Sequence, residues 1–468
     1  TNVQVYRKNE SVAQQFLFTS TSAGIGTCED LGISENWYEI VPKRNEQTAI
    51  DISGASLNDG ANAQIYSRNK TYAQLFRFIY ENGYYRIMCA QSDKVLEVAG
   101  GDVVPGTNIR QWSSTKDKKD QLFSVNVNED GSYTFKNVAS GLTVSLANGE
   151  TGSGTNLQGE ESSEGDEQKF YLVKQTNLMQ EGIYSISTCL DSGKWLDVKN
   201  GSTSEDAGIQ IWQGNGSLAQ KWKIMAVEGE ENTYTFESLV SGLMMTVDTN
   251  GNVVQKKESG GADQQWIPTV SKGYLVFKNA GNGKVLDVAG GTDKNGTKIQ
   301  TYVSNATNAQ RFRLAGTPVL GNGTYLIQIS SNRKQVLDVS SGSRKAGANI
   351  QIWESNNTGA QKWNITRNSD GTYSIVNAKS KKYLDVVNAS GTAGANVQQW
   401  DGNGSGAQKW KISYIGNGGF KISSVLNEAL VLDVSGGNGY NGANVQIYTD
   451  NAGDGQRFSF VSTTYTPE

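Results

Sequence analysis

LDVVNASGTAGANVQQWDGNGSGAQKW, residues 384–410, is the stretch whose reading decides the fold. It places an acid after an apolar run (Asp385), a Gly turn (Gly391 to Gly394), an alternating stretch ending in an aromatic (Gln398, Trp400), an Asn turn at Asn403, and a Gln-x-Trp close (Gln408, Trp410). Short alternating runs between Gly and Asn turns are hairpin strands, not helices. Read with its flanks, the unit predicts four strands, at 371–376, 382–386, 396–400 and 408–412. Tyr373 opens the first, and its counterparts Tyr184, Tyr325 and Phe420 mark a recurring aromatic core position.

The rest of the chain repeats this unit. Aligned on Asp385, the register positions are Asp51, Glu97, Ser145, Asp197, Thr246, Asp287, Asp338, Asp385 and Asp433, with spacings of 46, 48, 52, 49, 41, 51, 47 and 48 residues. The two longest gaps lie three repeats apart, where extra residues serve as linkers, at 173–182 (VKQTNLMQEG) and 315–323 (AGTPVLGNG). Nine repeats therefore fall into triplets. A further connection, about 19–36, precedes the first full unit, and residues 1–18 match only the closing half of a repeat. The expected organisation is a partial repeat and linker at 1–30, then modules at 31–178, 179–318 and 319–468. The opening Thr1 points to a piece of a longer protein.

Composition agrees with an all-β chain. Among 468 residues there are 54 Gly, 20 Tyr and 10 Trp but only 5 Pro and 5 Met, and no window reads as a long amphipathic helix. The formal charge is −4 with Lys and Arg scattered, which argues against a nucleic-acid partner. Cys28, Cys89 and Cys189 allow at most one bridge, whose pairing stays open, and with no His they build no zinc site; no metal or cofactor is expected. No apolar run approaches bilayer length, so membrane insertion is not expected.

The close recurs as Gln74/Phe76, Gln121/Phe123, Gln168/Phe170, Gln220/Trp222, Gln264/Trp266, Gln310/Phe312, Gln361/Trp363, Gln408/Trp410 and Gln456/Phe458. In phase over nearly the whole chain, this resembles the ricin B-type lectin repeat. The resemblance implies that three repeats make one β-trefoil, a six-stranded barrel capped by three hairpins, and hence three tandem trefoils. A β-propeller is the alternative built from four-stranded units, but nine blades exceed the usual range of about four to eight and a closed propeller has no reason for triplets.

A sugar offers hydroxyls around apolar C–H faces, so a shallow site needs an aromatic platform and a few polar groups. The resemblance implies that the acid accepts two vicinal hydroxyls, the Gln before the aromatic supports it, the aromatic stacks, and an Asn before the closing Gln donates. Six repeats keep the first three together: Asp51/Gln64/Tyr66, Asp197/Gln210/Trp212, Asp287/Gln300/Tyr302, Asp338/Gln351/Trp353, Asp385/Gln398/Trp400 and Asp433/Gln446/Tyr448. Repeat two has Glu97, Arg110 and Trp112, with one extra residue before Gln121. Repeat three has Ser145, Gln158 and Glu160, and repeat five Thr246, Val254 and Lys256. Repeats three and five thus lose acid and platform together, although the two are well separated in sequence, which points to one working unit. The competing reading makes the acid a partner of nearby turn amides and the aromatic a half-buried core residue. For the closing pair the structural role is expected: aromatic in the core, Gln buried against turn amides.

The family's Asn is missing. Ala73, Ala219, Ala309, Ala360, Ala407 and Gly455 stand there, and Ala13 in the N-terminal remnant. Asn69, Asn215, Asn305, Asn356, Asn403 and Asn451, three residues after each platform, either supply the amide or set a turn by taking positive φ. Five of these, with Asn9, also head N-x-S/T triplets, a coincidence of the repeat turn rather than a glycan signal.

Catalysis has little support: there is no His base, and the acids recur one per unit instead of as a pair about 5–10 Å apart. A catalytic domain elsewhere in a parent protein stays open. The expected function is non-catalytic, multivalent binding of galactose-type sugars on glycoproteins or mucins by a secreted or surface-attached bacterial protein. Mutating Asp385 and Asp338 to Ala is expected to weaken it with little change in thermal unfolding. The alternative is a trefoil scaffold that binds a host protein such as an immunoglobulin independently of glycans; a third reading is a silent spacer.

Overall fold

The computed structural model describes residues 31–463 except 32, 35, 191, 192, 331 and 438. The partial repeat at 1–18, Asn9, Ala13 and Cys28 lie outside the described residues. Every described element is a β-strand or a three-residue 3-10 turn. The chain divides into two compact units, 1–176 with 270–273, and 177–269 with 274–468.

Pairing shows how repeats become barrels. In the last set the strands Gly323–Ile329, Trp363–Arg367, Tyr373–Asn377, Trp410–Tyr414, Phe420–Ser424 and Phe458–Thr463 pair antiparallel in that order, and the sixth pairs with the first. A closed six-strand ring has no free edge, which removes the hazard of unpaired strands. Three hairpins, Asn332–Val339 with Ala348–Glu354, Tyr383–Val386 with Ala395–Trp400, and Asn427–Val434 with Ala443–Thr449, cap one end. Their second strands pair in a triangle. At its centre Asn396 donates to Asn349, Asn349 to Asn444, and Asn444 to Asn396, each at 2.9 Å, a cyclic arrangement that only threefold packing permits. This is the β-trefoil arrangement. The described strands close two further rings, beginning at Tyr38 and at Gly182.

The closing aromatics fill the rings. All nine are fully buried, and the indoles of Trp222, Trp266, Trp363 and Trp410 donate to the carbonyls of Leu196, Met245, Leu337 and Leu384. The last strand of the unit starts later than its sequence reading: Gln408 ends the 3-10 turn Gly406–Gln408, and the strand begins at Trp410. The reason is the side chain. Gln408 Oε1 accepts from the Asn403 amide at 3.0 Å and its Nε2 donates to the Asp401 carbonyl at 2.8 Å, so it staples the preceding turn instead of extending the strand. All nine closing glutamines make this pair of bonds.

The two stretches read as linkers between modules, 173–182 and 315–323, pack against the barrels that follow them. Leu320 is buried in the core of the ring that follows it, the Tyr325 hydroxyl donates to the Gly321 carbonyl at 2.9 Å, and the buried Lys221 ammonium donates to the Pro318 carbonyl at 2.6 Å. Tyr184 plays the same part for its linker, donating to the Gln180 carbonyl at 3.0 Å, and is only half-buried, unlike Phe420. Cys89 and Cys189 are both free thiols.

Candidate functional site

Hairpin register builds the site. In the six full repeats the acid sits directly opposite the middle Gln: Asp51 and Gln64, Asp197 and Gln210, Asp287 and Gln300, Asp338 and Gln351, Asp385 and Gln398, Asp433 and Gln446. Because side chains alternate, the aromatic two residues beyond the Gln points to the same face. Each Gln Nε2 donates to the acid at 2.8–3.1 Å. The closing Gln supplies a second amide in the geometry of Asp287 (Gln310, 3.2 Å) and Asp385 (Gln408, 3.0 Å).

Acid and platform differ sharply in exposure. The six acids are 4–8% exposed, whereas Tyr66, Trp212, Tyr302, Trp353, Trp400 and Tyr448 are 39–52% exposed. The rings are therefore not core residues. They stand open as apolar surfaces in a fold whose other large aromatics are mostly buried. The acids' partners are side-chain amides, not the turn amides that the competing reading invokes. Two bonds leave further lone pairs on each carboxylate for a ligand hydroxyl. Burial pushes the carboxyls of Asp51, Asp197, Asp287 and Asp338 above the usual Asp range, while the Gln hydrogen bonds pull the other way. This burial also changes the consequence of Asp→Ala at 338 and 385. Removing the carboxylate orphans interior amides at about 1–3 kcal/mol each, so such variants lose stability as well.

In repeat seven the three side chains line a cleft of 360 Å³ with Asn356, Ala360 and Lys379. Lys379 comes from a loop outside the motif, so nothing in the repeat pattern marked it. The residues that replace the family's Asn are packed: the five alanines are 1–6% exposed. A Cβ on Gly455 would lie 3.0 Å from the Val434 carbonyl oxygen and the Gly437 Cα. At these six positions the residue present carries no side-chain donor.

The Asn three residues after each platform sets a turn, though not by its own φ. Its side-chain oxygen accepts the backbone amide two residues on. The left-handed residue is the next one: Lys70, Gly216, Ala306, Asn357, Gly404 and Ala452, with φ of 55–70°. An Asx turn explains this, since the side-chain bond replaces a backbone bond and passes the strained step along the chain.

Repeat two is plugged by its own cations. Glu97 is wholly buried, paired with Arg110 at 2.9 Å and Lys118 at 3.0 Å, and it also accepts from Gln121. The Arg110 guanidinium stacks over the Trp112 ring, 4.3 Å from its centre. Lys118 was missed in the sequence; the Lys-rich run 116–119 and the extra residue before Gln121 are the signal that could have found it. In repeat three Gln158 turns to Glu160 (2.6 Å), and in repeat five Thr246 takes the place of the acid as acceptor for Gln264 (3.0 Å). The closing turn thus survives where the site is lost.

Among solved structures, the chain is similar to a mosquitocidal holotoxin at 18% identity, covering 92% of this chain and 52% of that one with a TM-score of 0.33. It is similar to the Rhizoctonia solani agglutinin at 27% identity, covering 31% and 97%, TM-score 0.29. To the Macrolepiota procera ricin B-like lectin in complex with lactose the identity is 21%, covering 31% and 100%, TM-score 0.28. The chain spans about half the length of the holotoxin. A search of curated proteins found no match. The family described as ricin-type beta-trefoil lectin domain-like matches residues 12–112, 119–212, 176–259, 218–302, 262–353, 308–400, 359–448 and 406–466. With matches over nearly its whole length and the hairpin-capped barrels of a trefoil, the chain belongs to the ricin-type β-trefoil lectin domain-like family.

Proposed function

We propose that the chain is a non-catalytic, multivalent carbohydrate-binding region, built as trefoil modules at 31–178, 179–318 and 319–468, that holds galactose-type sugars on glycoproteins or mucins outside the cell. One observation carries this reading: an open aromatic ring beside a buried Asp–Gln pair, repeated six times. The ring matches the apolar face of a sugar and the acid its hydroxyls. A single shallow site near millimolar affinity is worth only about 4 kcal/mol. Several sites on one chain raise retention on a multivalent surface through effective concentration.

Enzymatic removal of glycans from a captured glycoprotein tests the proposal. The expected result is loss of capture. Retention of the bare polypeptide overturns it and favours a protein-binding scaffold, such as one for an immunoglobulin.

Acid should separate binding from folding. The folded carboxyls of Asp51, Asp197, Asp287 and Asp338 lie above the unfolded Asp value, so their stabilising contribution is fully present below that value and is lost as pH rises through the folded pKa. Lowering the pH toward the raised pKa therefore protonates the sugar acceptors while these groups favour the fold. Retention on an immobilised glycan surface is expected to fall before the thermal unfolding temperature does. Retention that drops only together with unfolding contradicts the assignment.

A further inference from the structure

Six sites share one motif, yet the site of repeat four does not end at its own module. Asp197, Gln210 and Trp212 line a cleft of 410 Å³ whose opposite wall comes from the next module, including Gln328, Arg333, Ser459 and Phe460. All of these residues belong to the same compact unit. The repeat-seven cleft, in contrast, is lined by residues 338–379 alone.

The two walls are held together by packing that leaves little play. Leu218 and Leu239 of one module are buried in the same core cluster as Leu320, Trp363 and Phe460. The Tyr414 hydroxyl donates to Glu237 Oε1 at 2.7 Å, and the Asn417 amide donates to the same oxygen at 2.8 Å. At Gly242 a Cβ would stand 2.2 Å from the Asn417 Cα, so the two backbones meet at glycine contact. The cleft is preformed, which lowers the ordering penalty of binding.

The chemistry of the added wall is specific. Arg333 is exposed and makes no ion pair among the described residues. Ser459 is 8% exposed, and its hydroxyl is buried with no hydrogen-bond partner. A guanidinium with no ion pair among the described residues, lining the same cleft as an aromatic platform, fits an anion carried by a sugar.

We propose that the repeat-four cleft is an extended site for an acidic oligosaccharide: Trp212 and Asp197 hold one sugar unit, and Arg333 takes the carboxylate or sulfate of the next. This rests on the carbohydrate-binding reading above and gives that one site a ligand class set by side chains of the next module. Charge recognition at this site then comes from the seam between modules, where Arg333 enters the cleft.

The test uses the full chain with the other five platforms removed (Tyr66→Ala, Tyr302→Ala, Trp353→Ala, Trp400→Ala, Tyr448→Ala). Binding is measured by calorimetry to three trisaccharides that differ only in a neutral, carboxylated or sulfated second unit. The expected result is a preference for an acidic trisaccharide, about tenfold or more over the neutral one, which Arg333→Ala erases without changing neutral binding. The carboxylated and sulfated arms show which anion is preferred. Equal affinity for neutral and acidic ligands, a preference unchanged in Arg333→Ala, or no binding by the five-site variant while the unaltered chain binds, overturns the proposal. Failure of the unaltered chain to bind any glycan overturns the carbohydrate reading, and this proposal with it.

Discussion

Replacing Trp410 with alanine is expected to remove about 3–5 kcal/mol of stability, enough to unfold its barrel at ordinary temperatures. The indole is fully buried, and its N–H donates to the Leu384 carbonyl at 3.1 Å, so the variant leaves both a large cavity and an interior carbonyl without its partner. The effect should be confined. Residues 38–170 hold a separate core around Phe76, Phe123 and Phe170, in the other compact unit. Thermal unfolding followed by calorimetry is therefore expected to keep one transition in place and shift or abolish another. A melting profile identical to that of the unaltered chain would refute the assignment of the closing aromatic to the core.

The second large effect is functional. With Tyr66, Trp212, Tyr302, Trp353, Trp400 and Tyr448 all changed to alanine, retention on a dense glycan surface is expected to fall by about 10²–10⁴-fold, the scale of avidity itself. Restoring the aromatics one by one should recover retention in steps steeper than the number of sites. The rings are 39–52% exposed, so the multiple variant is expected to keep its fold, which near-ultraviolet circular dichroism and unfolding temperature will show. A folded variant that still binds the surface would place recognition elsewhere on the chain. The contrast with Trp410 is the point: two tryptophans ten residues apart in one repeat, one that removes the barrel and one that removes the ligand.

Much of the site was legible because a hairpin register converts spacing into proximity. Asp385 and Gln398, thirteen residues apart, face each other at 2.9 Å, and the five other repeats with an Asp and a Gln at that spacing repeat the contact. What could not be read is what else reaches each site. Glu97, Arg110 and Trp112 look in sequence like a weakened site, but burial of Glu97 and the placement of Lys118 and Arg110 make it a neutralised and covered one. The acids' burial was equally hidden. A surface hydroxyl acceptor and an interior partner of two glutamines occupy the same sequence position, and only packing distinguishes their effect on stability.

The nine-fold repeat of Gln-x-aromatic, by itself, determined the barrels, because a stapled turn and a buried ring are local demands that each repeat satisfies with its own residues. It likewise determined which repeats carry acid and platform. The tertiary structure alone decided how the sites differ. Lys379 enters one cleft from a neighbouring loop, and Gln328, Arg333, Ser459 and Phe460 enter another from the next module, more than a hundred residues from Asp197. No repeat-level pattern encodes such contacts, because one comes from a loop outside the motif and the other from the seam where the packed surfaces of two modules meet.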